Sequence, residues 1–258
     1  MNRKLINWVG LLGVAALISY AAALVFSPLA FPGYNWMEQA ASDLSADSAP
    51  SRHLWDQLAA LYHAGSVVCA TCIAIFVSEK KISVGLFRLG IYLFAIMNWI
   101  SRVGYQMFAL SDAGKDIAGI QETMHMVITV LVVLMSIVSL VLLIIAGCKD
   151  KMVSGIGIWA AIALAMMFMG PIGMAAFPPQ YFGVFERFST FAAVGYNAVL
   201  GVYLFNGFKD AQAGNEEDTI VHRKQFIHKS FEERLAENNG EISVCDYDWG
   251  EPVGREIL

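Results

Sequence analysis

The chain has 258 residues, 57% hydrophobic and 15% charged, with a net charge of −5. Soluble domains carry about 25% charged residues, so the deficit and several long apolar runs point to an integral membrane protein. The acidity lies in residues 209–258, with 12 acidic and 6 basic side chains, while residues 1–208 carry +1. No basic patch of the kind that binds nucleic acid occurs, so a nucleic-acid partner is not expected.

About 20 apolar residues at 1.5 Å rise cross a hydrocarbon core of roughly 30 Å. Six segments qualify: Leu5–Phe26, Gln57–Val77, Val84–Phe108, Glu122–Ala146, Val153–Phe177 and Val184–Phe208. The expected fold is therefore all-α: a polytopic six-transmembrane-helix bundle over 1–208, followed by an acidic cytoplasmic tail over 209–258. Arg3-Lys4 before Leu5–Phe26 resembles the start of a signal peptide. At 22 residues, however, the run is longer than a 7–15-residue signal core, and it reads as a retained first span. In the fifth segment, Ala161 and Ala165 have the small-xxx-small spacing that lets helices approach closely, and Gly170-Pro171 predicts a kink. Cys69-Ala-Thr-Cys72 has CxxC spacing but falls mid-way along an apolar segment. A redox pair wants a solvent-accessible helix start, so these two read as small packing residues.

Lys and Arg in short loops set orientation. Arg3, Lys4, Lys80, Lys81, Arg88, Lys149, Lys151 and Lys209 fall on one side, against Arg52 and Lys115 on the other. Both termini are thus expected in the cytoplasm, with the polar loop Tyr34–Asp56 facing out, in a plasma membrane. In the tail, residues 219–238 read as an amphipathic helix bearing Ile220, Ile227, Phe231 and Leu235 on one stripe. It could lie on the membrane surface or dock a cytoplasmic partner.

Charged side chains inside spans cost about 2.5–3.5 kcal/mol near the centre on insertion scales, so each needs a reason. Asp56 and His63, seven apart, share one face of the second segment, with Ser66 below. Asn98, Arg102 and Gln106 line a stripe of the third. Glu122, His125 and Thr129 share a face of the fourth, and Glu186-Arg187 opens the sixth. All these charges fall in the outer half, above an inner half whose polar groups are Thr71, Ser136, Ser139, Asn197, Asn206 and tyrosines. The pattern predicts a one-sided polar chamber capped by the 34–56 loop. A continuous ion path would need polar groups along its whole length. A structural reading stands beside this one. Arg102 could pair with Glu122 or Asp56 to hold the bundle, and the histidines could be helix contacts. His63, His125 and a loop carboxylate are zinc-type ligands without HxxxH or HExxH spacing, so no metal is expected. Ser42 with His125 as base lacks a GxSxG elbow. No cofactor is expected.

Tyr34, Ser42-Asp43-Leu44 and Pro50 in the first loop, His125 opening the fourth segment and Phe185-Glu186-Arg187 opening the last form an ordered set. In that order they resemble a large family of bacterial and archaeal six-span membrane proteins, the domain of unknown function nine-nine-eight. The resemblance covers roughly residues 5–208. It departs at Ser45, where the family usually has glycine, and in the acidic tail. It implies a six-span fold, a prokaryotic source and no established activity. A more distant similarity to eukaryotic six-span families linked to lipid handling is a likeness of fold. Taken together, Ser42, Asp43, Asp56, His63, Arg102, Glu122, His125, Glu186 and Arg187 form a candidate outward-facing polar pocket. Its expected ligand is a lipid headgroup or a small anion. The alternatives are a non-catalytic structural or regulatory membrane subunit acting through its tail, and an intramembrane hydrolase.

Overall fold

The computed structural model describes residues 3–111, 119–208 and Glu232. The expected amphipathic helix of the tail and Lys115 lie outside the described residues. Among those described there is no strand, and six helical segments are long and apolar enough to cross a membrane. The first combines α1 (Leu5–Val9) and α2 (Leu11–Phe26), which meet at Gly10. After it come α3 (Arg52–Leu58), α4 (Ala60–Glu79), α5 (Gly85–Met107), α6 (Ile120–Lys149), α7 (Ser154–Ala176) and α8 (Phe182–Phe205). The chain is a multi-pass membrane protein.

Short connections make consecutive helices antiparallel neighbours. α4 packs on α5, α5 on α6, α6 on α7 and α7 on α8. Contacts of α2 with both α4 and α8 close the ring. Apolar side chains stand exposed around its outside: Val127, Val130, Leu131, Leu134, Val138, Val141 and Ile145 cover one face of α6. In water such a face would be an aggregation liability; in hydrocarbon it is the solvated surface. Lipid tails are as apolar as leucine, so association between these helices rests on close packing and hydrogen bonds. Phe87, Phe94, Leu140, Leu143, Ile156, Leu200 and Leu204 form the centre of the larger buried cluster.

Two expectations need correction. The second segment is not one helix from Gln57. It is interrupted at Ala59 between α3 and α4, so Asp56 and His63 belong to different helices, with Asp56 still within electrostatic reach of His63. The break is held from outside: the Ser19 hydroxyl of α2 donates to Leu58 O and accepts from Tyr62 N at 3.1 Å. The second correction concerns close approach. Ala161 and Ala165 point outward and are exposed. The buried seam of α7 is Ile156, Gly157, Ala160, Ala163, Met167 and Gly170, rotated by about 100° per residue from the expected pair. Backbones meet where Gly157 faces Gly147 of α6. α7 runs helically through Pro171. Cys69 is fully buried against Gly10 O, at 3.8 Å, and packs rather than reacts.

The connection between the first two spans is folded onto the bundle. Ala41, Leu44 and Trp55 sit in a second buried cluster with Ala16, Tyr20, Tyr62 and Val194. Leu44 is completely enclosed, and the Ser51 hydroxyl donates to its carbonyl at 2.9 Å. Backbone bonds tie the connection to two other elements. Gly183 N and Val184 N donate to Met37 O at the start of α8, while Asp47 N and Ser48 N donate to Leu110 O and Ser111 O.

Candidate functional site

Beneath this roof the candidate residues fall into three groups. The first is built on the opening turns of α8. Arg187 donates from Nη1 to Gln39 O at 3.1 Å and to Gly183 O of its own helix, and from Nη2 to the Tyr34 hydroxyl. That hydroxyl in turn donates to Ala40 O at 2.8 Å, which fixes its direction. Glu186 accepts from Ala41 N at 3.3 Å, and Asp43 accepts from Ala40 N at 3.2 Å. Asp43 is the second residue of a short 3-10 turn, Ser42–Ser45, and is buried. The carboxyl groups of Glu186 and Asp43 and the guanidinium of Arg187 all act electrostatically on Tyr34. Burial pushes the Tyr34 hydroxyl up to about 12, with Arg187 opposing it, so it stays protonated at neutral pH.

The second group is centred on Arg102 of α5. Its guanidinium lies over the Tyr62 ring, 4.1 Å from the centroid, and hydrogen-bonds the Tyr62 hydroxyl, Ser101 Oγ at 2.9 Å and His63 Nδ1 at 3.1 Å. Guanidinium only donates, so His63 Nδ1 accepts and the imidazole proton sits on Nε2. The expected partner Asp56 is engaged otherwise: exposed on α3, it pairs with Arg52 at 2.9 Å, and Arg52 also pairs with Asp47. Arg102 is thus a cation hydrogen-bonded by neutral groups, while Asp56 is taken up by Arg52.

His125 begins a third group on α6. Its Nδ1 donates to Phe108 O at 2.8 Å, since a carbonyl can only accept, and its ring lies 5.0 Å from that of Tyr105. Tyr105 donates to Thr129 Oγ1 at 3.1 Å. Glu122 stands in the first turn of α6, beside Gly119. Among the described residues no three His, Cys, Asp or Glu side chains come together to hold a metal ion.

Aromatic side chains that carried no signal in the sequence join the first two groups. Tyr20 of α2, inside an apolar run, is buried with its ring 4.7 Å from Tyr62 and 5.5 Å from Phe191. On one side it touches the residue that carries Arg102; on the other it lies within electrostatic reach of Glu186 and Arg187.

A cavity reaches this assembly. It has a volume of about 350 Å³ and is lined by Ala21, Leu24, Val25, Pro28, Tyr34, Trp36, Arg187 and Phe191. Its walls belong to α2 and α8, its top is the Tyr34–Trp36 turn, and Arg187 supplies its one charged group. Ser42, Asp43, Asp56, His63, Arg102, Glu122, His125 and Glu186 do not line it. No curated protein and no solved structure matches the chain. Residues 14–203 match the model of the family described as Protein of unknown function (DUF998), and the chain belongs to that family.

Proposed function

We propose that this protein binds an amphiphile with an anionic headgroup between its first and last spans. The observation that carries the reading is the cavity between α2 and α8, apolar along Ala21, Leu24, Val25 and Phe191 and cationic at Arg187. Arg187 lies five residues into α8, about 7.5 Å from its start, a depth suited to a headgroup rather than to the bilayer centre. Arg102 then has a structural role, holding α4 to α5.

The loop end of the bundle faces outward and the termini face the cytoplasm of a prokaryotic cell. Supporting this are Arg3, Lys4, Lys80, Lys81, Arg88, Lys149 and Lys151 gathered at one end, against Arg52 at the other. The binding site is accordingly on the outer side. The test is native mass spectrometry of the purified full chain with a lipid mixture. Retention of an anionic lipid by the wild type, lost when Ala21→Trp fills the cavity, supports the reading. Equal retention by both chains sinks it.

A further inference from the structure

We infer that Arg187 reads the headgroup with one edge of its guanidinium and that the ligand is a phosphodiester lipid, an assignment resting on the amphiphile reading above. A guanidinium has five N–H groups in a fixed planar fork. Both hydrogens on Nη1 of Arg187 are used, by Gln39 O and Gly183 O, and one on Nη2 is used by the Tyr34 hydroxyl. What remains is Nε–H and one hydrogen on Nη2. Those two nitrogens form the side edge of the guanidinium, which matches two oxygens of one phosphate or carboxylate.

Arg102 has the same number of bonds but distributes them differently. Both Nη2 hydrogens are used, by Tyr62 and Ser101, and one Nη1 hydrogen by His63. Its remaining hydrogens, on Nε and Nη1, lie on different edges and cannot grip one oxyanion. The two arginines look alike in the sequence, and hydrogen bonding separates them into a packing cation and a binding cation.

The cavity wall and the surrounding charge narrow the class. Arg187 opens onto apolar Leu24, Val25 and Phe191, so the oxyanion carries a hydrocarbon body. Glu186 and Asp43 stand within electrostatic reach of the same Tyr34. A singly charged phosphodiester meets less repulsion from these carboxyl groups than a doubly charged phosphate monoester. Its two unesterified oxygens fit the open edge, and Trp36 and Tyr34 face the polar part.

The experiment uses the full chain in detergent micelles and native mass spectrometry. The ligands are phosphatidylglycerol, its phosphate-methylated triester and diacylglycerol, with matched acyl chains, and free glycerophosphate. The phosphodiester lipid is expected to bind at least about tenfold tighter than the triester, which is neutral and has one free phosphoryl oxygen. Arg187→Lys keeps the charge, loses the fork, and is expected to bring the phosphodiester down to the triester's level. Equal binding of all three lipids to the wild type overturns the assignment together with the anionic headgroup it rests on, whereas a fatty-acid carboxylate of matched chain, added as a further ligand, binding tighter than phosphatidylglycerol overturns the assignment alone. Binding of none of the lipids overturns both. Glycerophosphate binding as tightly as the lipid overturns the lipid assignment. The wild-type comparison needs no variant, so it stands even where Arg187→Lys fails to fold.

Discussion

Ser189 of α8 supplies the hydrogen bond that Pro171 removes from α7. Proline has no N–H, so the carbonyl four residues earlier, Met167 O, loses its helical partner; the Ser189 hydroxyl donates to it at 2.9 Å. Hydrocarbon offers no substitute. Gly170 makes the approach possible, because a Cβ there would collide with the same hydroxyl. Ser189→Ala is expected to destabilise the fold by about 1–3 kcal/mol. In a Pro171→Ala background most of that loss should vanish, with a coupling above about 0.5 kcal/mol in a double-mutant cycle of detergent unfolding. Simple additivity would show that the two residues act independently.

A second expected outcome concerns the α6–α7 contact. A Cβ added to Gly147 would sit 2.8 Å from the Gly157 Cα, and one added to Gly157 would sit 2.9 Å from that of Gly147. Both obstacles are backbone, so neither can swing aside. Gly157→Ala should lower stability by about 1–3 kcal/mol, whereas Ala161→Leu on the exposed face should change it by less than about 0.5 kcal/mol. Thermal unfolding of the two variants ranks them, and the opposite order would contradict the packing described.

The pH dependence of Tyr34 has a definite sign. Its hydroxyl is held up to about 12, against an unfolded value near 10. Between those values the unfolded chain releases a proton that the native chain keeps. Stability from this group is therefore complete below about pH 10 and is lost as pH rises towards 12. Tyr34→Phe should flatten the unfolding curve over that window relative to wild type; identical slopes would assign the loss to other groups.

Arg102→Lys is expected to separate structure from binding. A lysine ammonium is a compact point charge and cannot span the planar arrangement of Tyr62, His63 and Ser101. The fold should lose about 1–3 kcal/mol while phosphodiester-lipid retention stays at the wild-type level. A loss of retention like that of Arg187→Lys would show that Arg102 shares the ligand.

The six spans were legible because crossing a bilayer demands length and apolarity, which a sequence displays directly. Membership of the family was legible from Tyr34, Ser42-Asp43-Leu44, His125 and Phe185-Glu186-Arg187 in order. The break at Ala59 was not. Gln57–Val77 contains no proline, and what stabilises the break is Ser19, forty residues away on another span. Nor was the i,i+4 pairing of Asp56 with Arg52 within α3, which leaves Arg102 with neutral partners. Tyr20 and Tyr62 were equally hidden, since a tyrosine in an apolar run reads as ordinary lipid-compatible bulk until its neighbours are known. Ala161 and Ala165 show the converse limit. Small residues four apart mark a smooth stripe, but which way a stripe faces depends on helix rotation, which spacing alone does not fix.

The roof over the cavity has a kinetic consequence. It is fastened to α8 through Met37 and to the segment just after α5 through Asp47 and Ser48, four backbone bonds at two separated anchor points. Lifting it like a flap would break both sets at once, at about 0.5–1.5 kcal/mol per bond. The sideways gap between α2 and α8, where Val25 and Trp36 stand exposed, requires no such rupture. On the binding proposed above, a molecule held beneath the roof would exchange within the plane of the bilayer, and its turnover would follow the crowding of lipids around the protein rather than its concentration in the surrounding water.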